Sequence, residues 1–289
     1  MKIQTTMKTI LVPYDFSKEA NFALDFAVGL AKKTQNKLEL LHVIELPTPT
    51  SFSSFGEAGA MSNETANIFM IELIEKRKKQ MNELEEEFKD AGFTFETKMI
   101  FGNPFAGISK EIVDVDADIV VMGSKGSSGL EEILIGSNTE KVVRHAACPV
   151  ITIKSEISPS DVKKIVFASD FNEVPASVAQ RLKNSIDVID GELHLVKINT
   201  PSMFEHSRVS FQKMKTFVDE FGFSPQSMEI YNSTSEEEGI LDYADDIQAD
   251  MIAMATTGRT GFLHLLTGSI AEDVVNAAKR PVWTMKAKK

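Results

Sequence analysis

Two glycine-serine constellations are the residues of this chain best suited to chemistry. The first is Gly123-Ser124-Lys125-Gly126, followed after nine residues by Gly136-Ser137, a spacing written G-x2-G-x9-G-S. The second is Ala255-Thr256-Thr257-Gly258, followed after nine residues by Gly268-Ser269. Glycine allows a sharp backbone turn and brings main-chain N–H groups close to a ligand with no Cβ in the way. A helix that starts just after such a turn offers unpaired N–H groups and the positive end of its dipole, a setting that favours anions. With about 1.5–3 kcal/mol for each charge-assisted hydrogen bond, three or four contacts support micromolar binding of a polyphosphate after association entropy is subtracted. A plainer role exists for the serines: Ser137 with Glu140, and Ser269 with Glu272, match S-x-x-E capping boxes. A cap accounts for the serine but not for the earlier glycines or their spacing. The chain has no G-x-x-x-x-G-K-S/T, and Gly123-x-x-Gly126-x-x-Gly129 is not the dinucleotide fingerprint.

These loops must be held by regular elements. In the first half, Ile10 to Pro13 is a short apolar run, and Asn21 to Lys33 carries Phe22, Leu24, Phe26, Ala27 and Leu30 at helical spacing. Leu38 to Ile44 reads as a strand, Met70 to Phe88 as a long charged helix with one apolar stripe, and Phe93 to Phe101 as a third strand. Gly102-Asn103-Pro104 opens a helix through Val115, and Ile119 to Met122 is a buried central strand. A helix over Thr139 to Ala146 and a strand over Val150 to Ile153 close the unit. Strand and helix in alternation predict an α/β fold with a parallel sheet and helices on both faces. Ligands bind beyond the carboxyl ends of such strands, where the strand order reverses.

The unit occurs twice. Val120 to Lys154 and Ile252 to Lys286 share 14 of 35 residues at an offset of 132, and Ile10 to Phe16 matches Ile165 to Phe171 at an offset of 155. The change of offset gives the first copy 23 extra residues, most of them assigned to Pro47 to Glu64, a stretch rich in Ser, Thr and Gly that suits a lid or a surface loop. The polar stretch Ser155 to Ser160 places the boundary between residues 1–156 and 157–289. In the second copy, strands are expected near Ile165, Leu193, Met228, Met251 and Val282.

Composition narrows the classes further. Over 289 residues, 43% hydrophobic and 25% charged residues fit two globular domains and argue against disorder. The 31 basic and 42 acidic residues give a net charge of −11, which disfavours nucleic acid and anionic lipid as partners. The lone Cys148 makes no intrachain disulfide, the five histidines show no metal spacing and read as surface or packing residues, and no run of 18 apolar residues occurs. A cytoplasmic protein without a membrane span is the expectation. The thirteen methionines fall mostly at apolar positions and read as core.

The strand-end segments Val12-Pro13-Tyr14-Asp15-Phe16-Ser17, Met122 to Gly126, Gly136 to Glu140 and Cys148 to Ile153 resemble the motifs of the universal stress protein family, in both halves. The resemblance implies two Rossmann-like domains of the adenine nucleotide alpha hydrolase type, each a five-stranded parallel sheet of order 3-2-1-4-5, with ATP or another adenine nucleotide across the switch between strands one and four. It places Pro13, Tyr14 and Asp15 near adenine and ribose, Val43 beside the base, Met122 at the strand edge, and Gly123, Gly126, Gly136, Ser137 and Asn138 around ribose and phosphates. It also implies Mg²⁺ bridging phosphate oxygens, and pairing of the last strands, Val150 to Ile153 beside Val282 to Met285, as an intrachain pseudo-dimer open to further homodimerisation. Asp15 suits a ribose or adenine hydrogen bond on physical grounds too, with a helix-entry cap beside Ser17 as its structural alternative. The second copy keeps Asp170, Gly258, Gly268 and Ser269 as a weaker site. Ala255 in place of the first glycine is expected to put a methyl group into the phosphate turn, while Ala168-Ser169 and Ile198 replace Pro13-Tyr14 and Val43. No catalytic residue and no protein metal ligand is assigned. A nucleotide-binding stress-response module is the leading reading; a slow ATP hydrolase and a ligand-free scaffold are the alternatives.

Overall fold

The computed structural model of the chain describes residues 8–45, 63–124, 135–256 and 270–286. The first repeat runs β1 (Thr9–Pro13), α1 (Lys18–Thr34), β2 (Lys37–Ile44), α2 (Asn63–Phe88), β3 (Phe95–Phe101), α3 (Pro104–Asp114), β4 (Ile119–Gly123), α4 (Ser137–His145) and β5 (Val150–Ile153). The second runs β6 (Lys164–Ala168), α5 (Ala176–Ile189), β7 (Glu192–Asn199), α6 (Ser207–Phe221), β8 (Ser227–Asn232), α7 (Glu236–Asp246), β9 (Met251–Thr256), α8 (Ile270–Ala277) and β10 (Val282–Lys286). Every expected strand is present, with shifts at element ends, among them the start of α1 at Lys18 rather than Asn21. Strand β3 starts at Phe95 because Phe93 turns into the core beside Phe88, α4 starts two residues before Thr139, and α2 begins at Asn63, inside the expected insertion. The rest of that insertion, and with it the lid reading, lies outside the described residues.

All ten strands form one sheet in the order β3-β2-β1-β4-β5-β10-β9-β6-β7-β8. Each repeat is therefore a parallel 3-2-1-4-5 sheet. The two join where β5 and β10 pair antiparallel, Val282 opposite Thr152 and Thr284 opposite Val150. Alternation along the strands sorts the core. Ile10, Val12, Ile119 and Val121 face α1, while Leu11, Val120 and Met122 face α3 and α4. The first of these layers runs continuously across both repeats, taking in α5, α6 and Trp283, whose buried Nε1 donates to Ser185 Oγ at 3.0 Å. The other face is split into one cluster per repeat.

Local signals explain where the helices start. Ser17 caps α1 by accepting from the Ala20 amide, and Asn103 caps α3 by accepting from Ala106, with Pro104 in the first turn. Among the described residues, no helix is long and apolar enough to cross a membrane.

Candidate functional site

Strands β1 and β4 lie side by side, Ile10 opposite Ile119, and the chain leaves both at the same end of the sheet. Beyond β1, Tyr14 turns its side chain toward α1, where its hydroxyl bonds Asn21 Oδ1. Its backbone is used as well: the N–H donates to Leu41 O at 2.8 Å, and the carbonyl accepts from His42 Nδ1 at 2.7 Å. Tyr14 thus braces the strand end with all its polar groups. Burial, with Asp25 and Asp15 nearby, pushes its phenol pKa up, and burial lowers that of His42, which sits as a neutral imidazole carrying its proton on Nδ1. Asp15 Oδ1 accepts from the Ser17 amide at 3.0 Å, an Asx turn that holds Phe16 at a left-handed φ of 66°. Asp170 does the same for Phe171 by accepting from the Asn172 amide at 2.9 Å, so the recurrence of this acid has a structural cause in both repeats.

Val43 lies on the opposite face of the sheet, packed against α3 where Gly107 leaves room; a Cβ there would stand 3.3 Å from Val43 Cγ2. Pro13 is half-buried, and Met122 is buried under α3 and α4. The glycine loop is closed at its base: Ser124 N–H donates to Ile153 O at 3.0 Å, and Gly136 N–H donates to Ser124 O at 2.8 Å. Thr139 Oγ1 ties the first turn of α4 to Gly123 O at 2.9 Å. Gly126 and Lys125 lie outside the described residues.

Helix α4 starts at Gly136 with no side-chain cap, which corrects the capping-box alternative. Ser137 is the first helical residue rather than the cap, and it is exposed; Glu140 turns to Arg144 instead. The first-turn amides of Ser137 and half-buried Asn138 therefore point out of the helix end beside the loop, where the dipole favours an anion. Helices α5 and α6 also start without a side-chain cap, so the missing cap gains meaning only where a glycine loop opens onto it.

Gly123 has a different use from the one its motif suggests. A Cβ there would lie 2.9 Å from the Glu19 carbonyl carbon and 3.0 Å from Ala20 N, in the first turn of α1. Its bareness lets α1 pack on the strand end. At the same register, Ala255 packs against the shared apolar layer, and α5 begins only at Ala176, three residues later in register than α1. The methyl of Ala255 thus enters the helix-facing core rather than a phosphate turn, which overturns that part of the expectation.

The second repeat differs more in charge. Its counterpart of α4 is α8, with Glu272 and Asp273 in the first turn where α4 has Glu140 alone, and Glu236, Glu237 and Glu238 occupy the first turn of α7, whereas α3 has no acid there. Burial and the facing Asp273 raise the Glu237 pKa, and burial with Glu272 raises that of Asp273. These carboxylates already sit in the positive field of a helix N-terminus. Nearby, Thr200 Oγ1 bonds Glu236 at 3.2 Å, tying the end of β7 to α7. Gly258, Gly268 and Ser269 lie outside the described residues.

The Usp family model, described as the universal stress protein family, matches residues 6–154 and 224–286. The chain belongs to the universal stress protein family. A Staphylococcus aureus (strain USA300) relative named for the same family is 33% identical over 170 residues, 58% of this chain and 96% of that protein. In fold, the chain is similar to a universal stress protein of Archaeoglobus fulgidus, with a TM-score of 0.75 at 22% identity over 97% of this chain and 99% of that one. It is also similar to a functionally unknown protein of Pseudomonas aeruginosa, with a TM-score of 0.69 at 20% identity over 98% and 94%. Between residues 155 and 223, where the family model does not match, β6, α5, β7 and α6 supply the counterparts of β1, α1, β2 and α2. There β7 carries polar residues at buried positions: Lys197 donates to Glu205 Oε2 at 2.7 Å and Ser210 Oγ at 3.0 Å, and Asn199 holds the Glu205 backbone. Two basic groups and Ser210 Oγ hold the Glu205 carboxyl far below its usual range, at about 2, against the opposing effect of burial.

Sequence reading missed that Lys197 network, and it missed His42 as the brace of Tyr14. It also missed Arg77 of α2, whose guanidinium lies 4.2 Å over the Phe16 ring. The shared offset of 155, which pairs His42 with Lys197, was the available signal.

Proposed function

We propose that the chain binds ATP or a related adenine nucleotide in its first domain, residues 1–156, and serves as a cytoplasmic stress-response signalling module. The second domain, residues 157–289, holds at most a weaker site. The observation that bears most weight is the pair of backbone bonds, Gly136 to Ser124 and Ser124 to Ile153, that hold the uncapped N-terminus of α4 beside the end of β4, at the switch between β1 and β4. Membership of the universal stress protein family supports the same reading.

The residues fit the ligand. Amides of Ser137 and Asn138 suit phosphate oxygens, and Val43 and the backbone of the Pro13–Asp15 turn are assigned to the base and ribose. Among the described residues no group of three acids, histidines or cysteines is arranged to hold a metal, so Mg²⁺ would ride on phosphate oxygens and water. The acids around α7 and α8 oppose a polyphosphate in the second domain.

Mass spectrometry of ligand released from the purified chain tests this. An adenine nucleotide at up to one per chain is expected, and a chain that carries none and shows no thermal shift with ATP contradicts it. Turnover in saturating ATP and Mg²⁺ separates a binding module from a hydrolase.

A further inference from the structure

The exit of the glycine loop in the first repeat is fastened by the second. Ile135, the residue before Gly136, donates its amide to Asn276 Oδ1 of α8 at 2.6 Å, and its side chain packs against the apolar cluster of the second repeat. The backbone of Asn276 is itself held, because Lys154 Nζ donates to its main-chain carbonyl. Alongside, Arg144 of α4 makes a two-pronged pair with buried Glu272 of α8, Nε to Oε1 at 2.6 Å and a terminal nitrogen to Oε2 at 2.7 Å.

This junction is not symmetric. Arg144 and Asn276 occupy the same register in the two repeats, as do Ile135 and Thr267. One repeat supplies a cation to an ion pair and the other supplies an amide acceptor to a loop backbone. Only the first exchange is a salt bridge between helices; the second reaches the residue next to the amides that open α4.

We propose that Asn276 is a positioning residue for the first-repeat nucleotide site, and that the second repeat acts as the anchor of that site. The inference rests on the nucleotide reading of the first repeat and names its regulation. A displacement of Ile135 moves the Gly136–Asn138 amides with it, and charge-assisted contacts to phosphate are lost steeply with misplacement. Because coupling is reciprocal, ATP in the first repeat must also tighten the contact with α8.

Calorimetry with ATP on the full chain and on Asn276→Ala, Asn276→Asp and Arg181→Ala tests it. Asp keeps the acceptor, and Arg181 pairs with Asp118 between the repeats at the opposite end of the sheet. Asn276→Ala is expected to weaken ATP by about five- to tenfold, the loss of one hydrogen bond. Asn276→Asp should restore most of it, and Arg181→Ala should lower the melting temperature with the dissociation constant unchanged. Hydrogen exchange on the wild-type chain is expected to show ATP slowing the Ile135 amide and those of α8. This arm decides the matter if Asn276→Ala fails to fold. Unchanged affinity in Asn276→Ala, or ATP protection confined to the first repeat, overturns the proposal alone. A wild-type chain that binds no ATP overturns the nucleotide reading and the proposal with it.

Discussion

The two repeats share a strand order and one continuous apolar layer, yet they treat the carboxyl ends of their strands differently. In the first, neutral His42 supports the Tyr14 carbonyl, α3 carries no acid in its first turn, and α4 begins uncapped with Glu140 as its one first-turn acid. In the second, the residue in register with His42 is Lys197, whose buried ammonium draws Glu205 onto the strand end, and five acids crowd the first turns of α7 and α8. A fold can thus be duplicated with its backbone intact while the helix starts beside the strand ends become more acidic in one copy, Asp273 and Glu236 to Glu238 having no acidic counterpart in the first turns of α4 and α3. What the second copy retains is the apolar layer and the junction with the first.

The largest effect expected on breaking this comparison is at Glu205. Glu205→Gln leaves the Lys197 ammonium buried without its carboxylate, a loss of about 3 kcal/mol, read as a lower midpoint in urea with ATP binding unaffected. Because the folded pKa is about 2 against an ordinary 4.5, the wild-type advantage is fully present above the ordinary value. It fades as pH falls from there toward about 2. A gap between wild type and variant that persists at the acid end contradicts the pairing.

Next in size is Gly123→Ala. Its Cβ meets the backbone of α1, so a destabilisation of about 1–3 kcal/mol is expected in denaturant titration, together with weaker ATP binding. The reverse change in the other repeat, Ala255→Gly, should cost only about 0.5–1 kcal/mol and create no nucleotide site. Equal effects at the two positions would remove the distinction between them.

The smallest effect concerns the acids of the second repeat. The Glu237 and Asp273 pKa values are both raised, so the folded state holds their protons longer than the unfolded chain does and loses stability as pH rises through those values. The double variant Glu237→Gln with Asp273→Asn is expected to gain roughly 0.5 kcal/mol near pH 7, and the gain should vanish well below the ordinary carboxylate range. A gain independent of pH contradicts the charge account.

Much of this was legible in the chain itself. Apolar runs placed the strands of the first repeat and the internal repetition carried them to the second, and the run Ile119 to Met122 marked a central strand, because burial on both faces leaves a continuous hydrophobic signal. What the motif could not reveal was direction. The motif presents Gly123 as a bare approach to phosphate, but whether an absent Cβ faces a ligand or a helix depends on which side of the sheet α1 covers. Lys197 was invisible for a similar reason: its partner Glu205 lies in a connection with no periodic pattern, and only tertiary packing brings them together. The Ser137–Glu140 spacing matched a capping box that the helix does not use, since Gly136 takes the cap position.

Isothermal titration of the full chain with ATP and Mg²⁺ tests the central asymmetry most directly. One site per chain is predicted, abolished when the α4 loop is altered by Gly126→Val and retained when Asp170 is replaced by Asn. Two equivalent sites, or a single site that survives Gly126→Val, would contradict it.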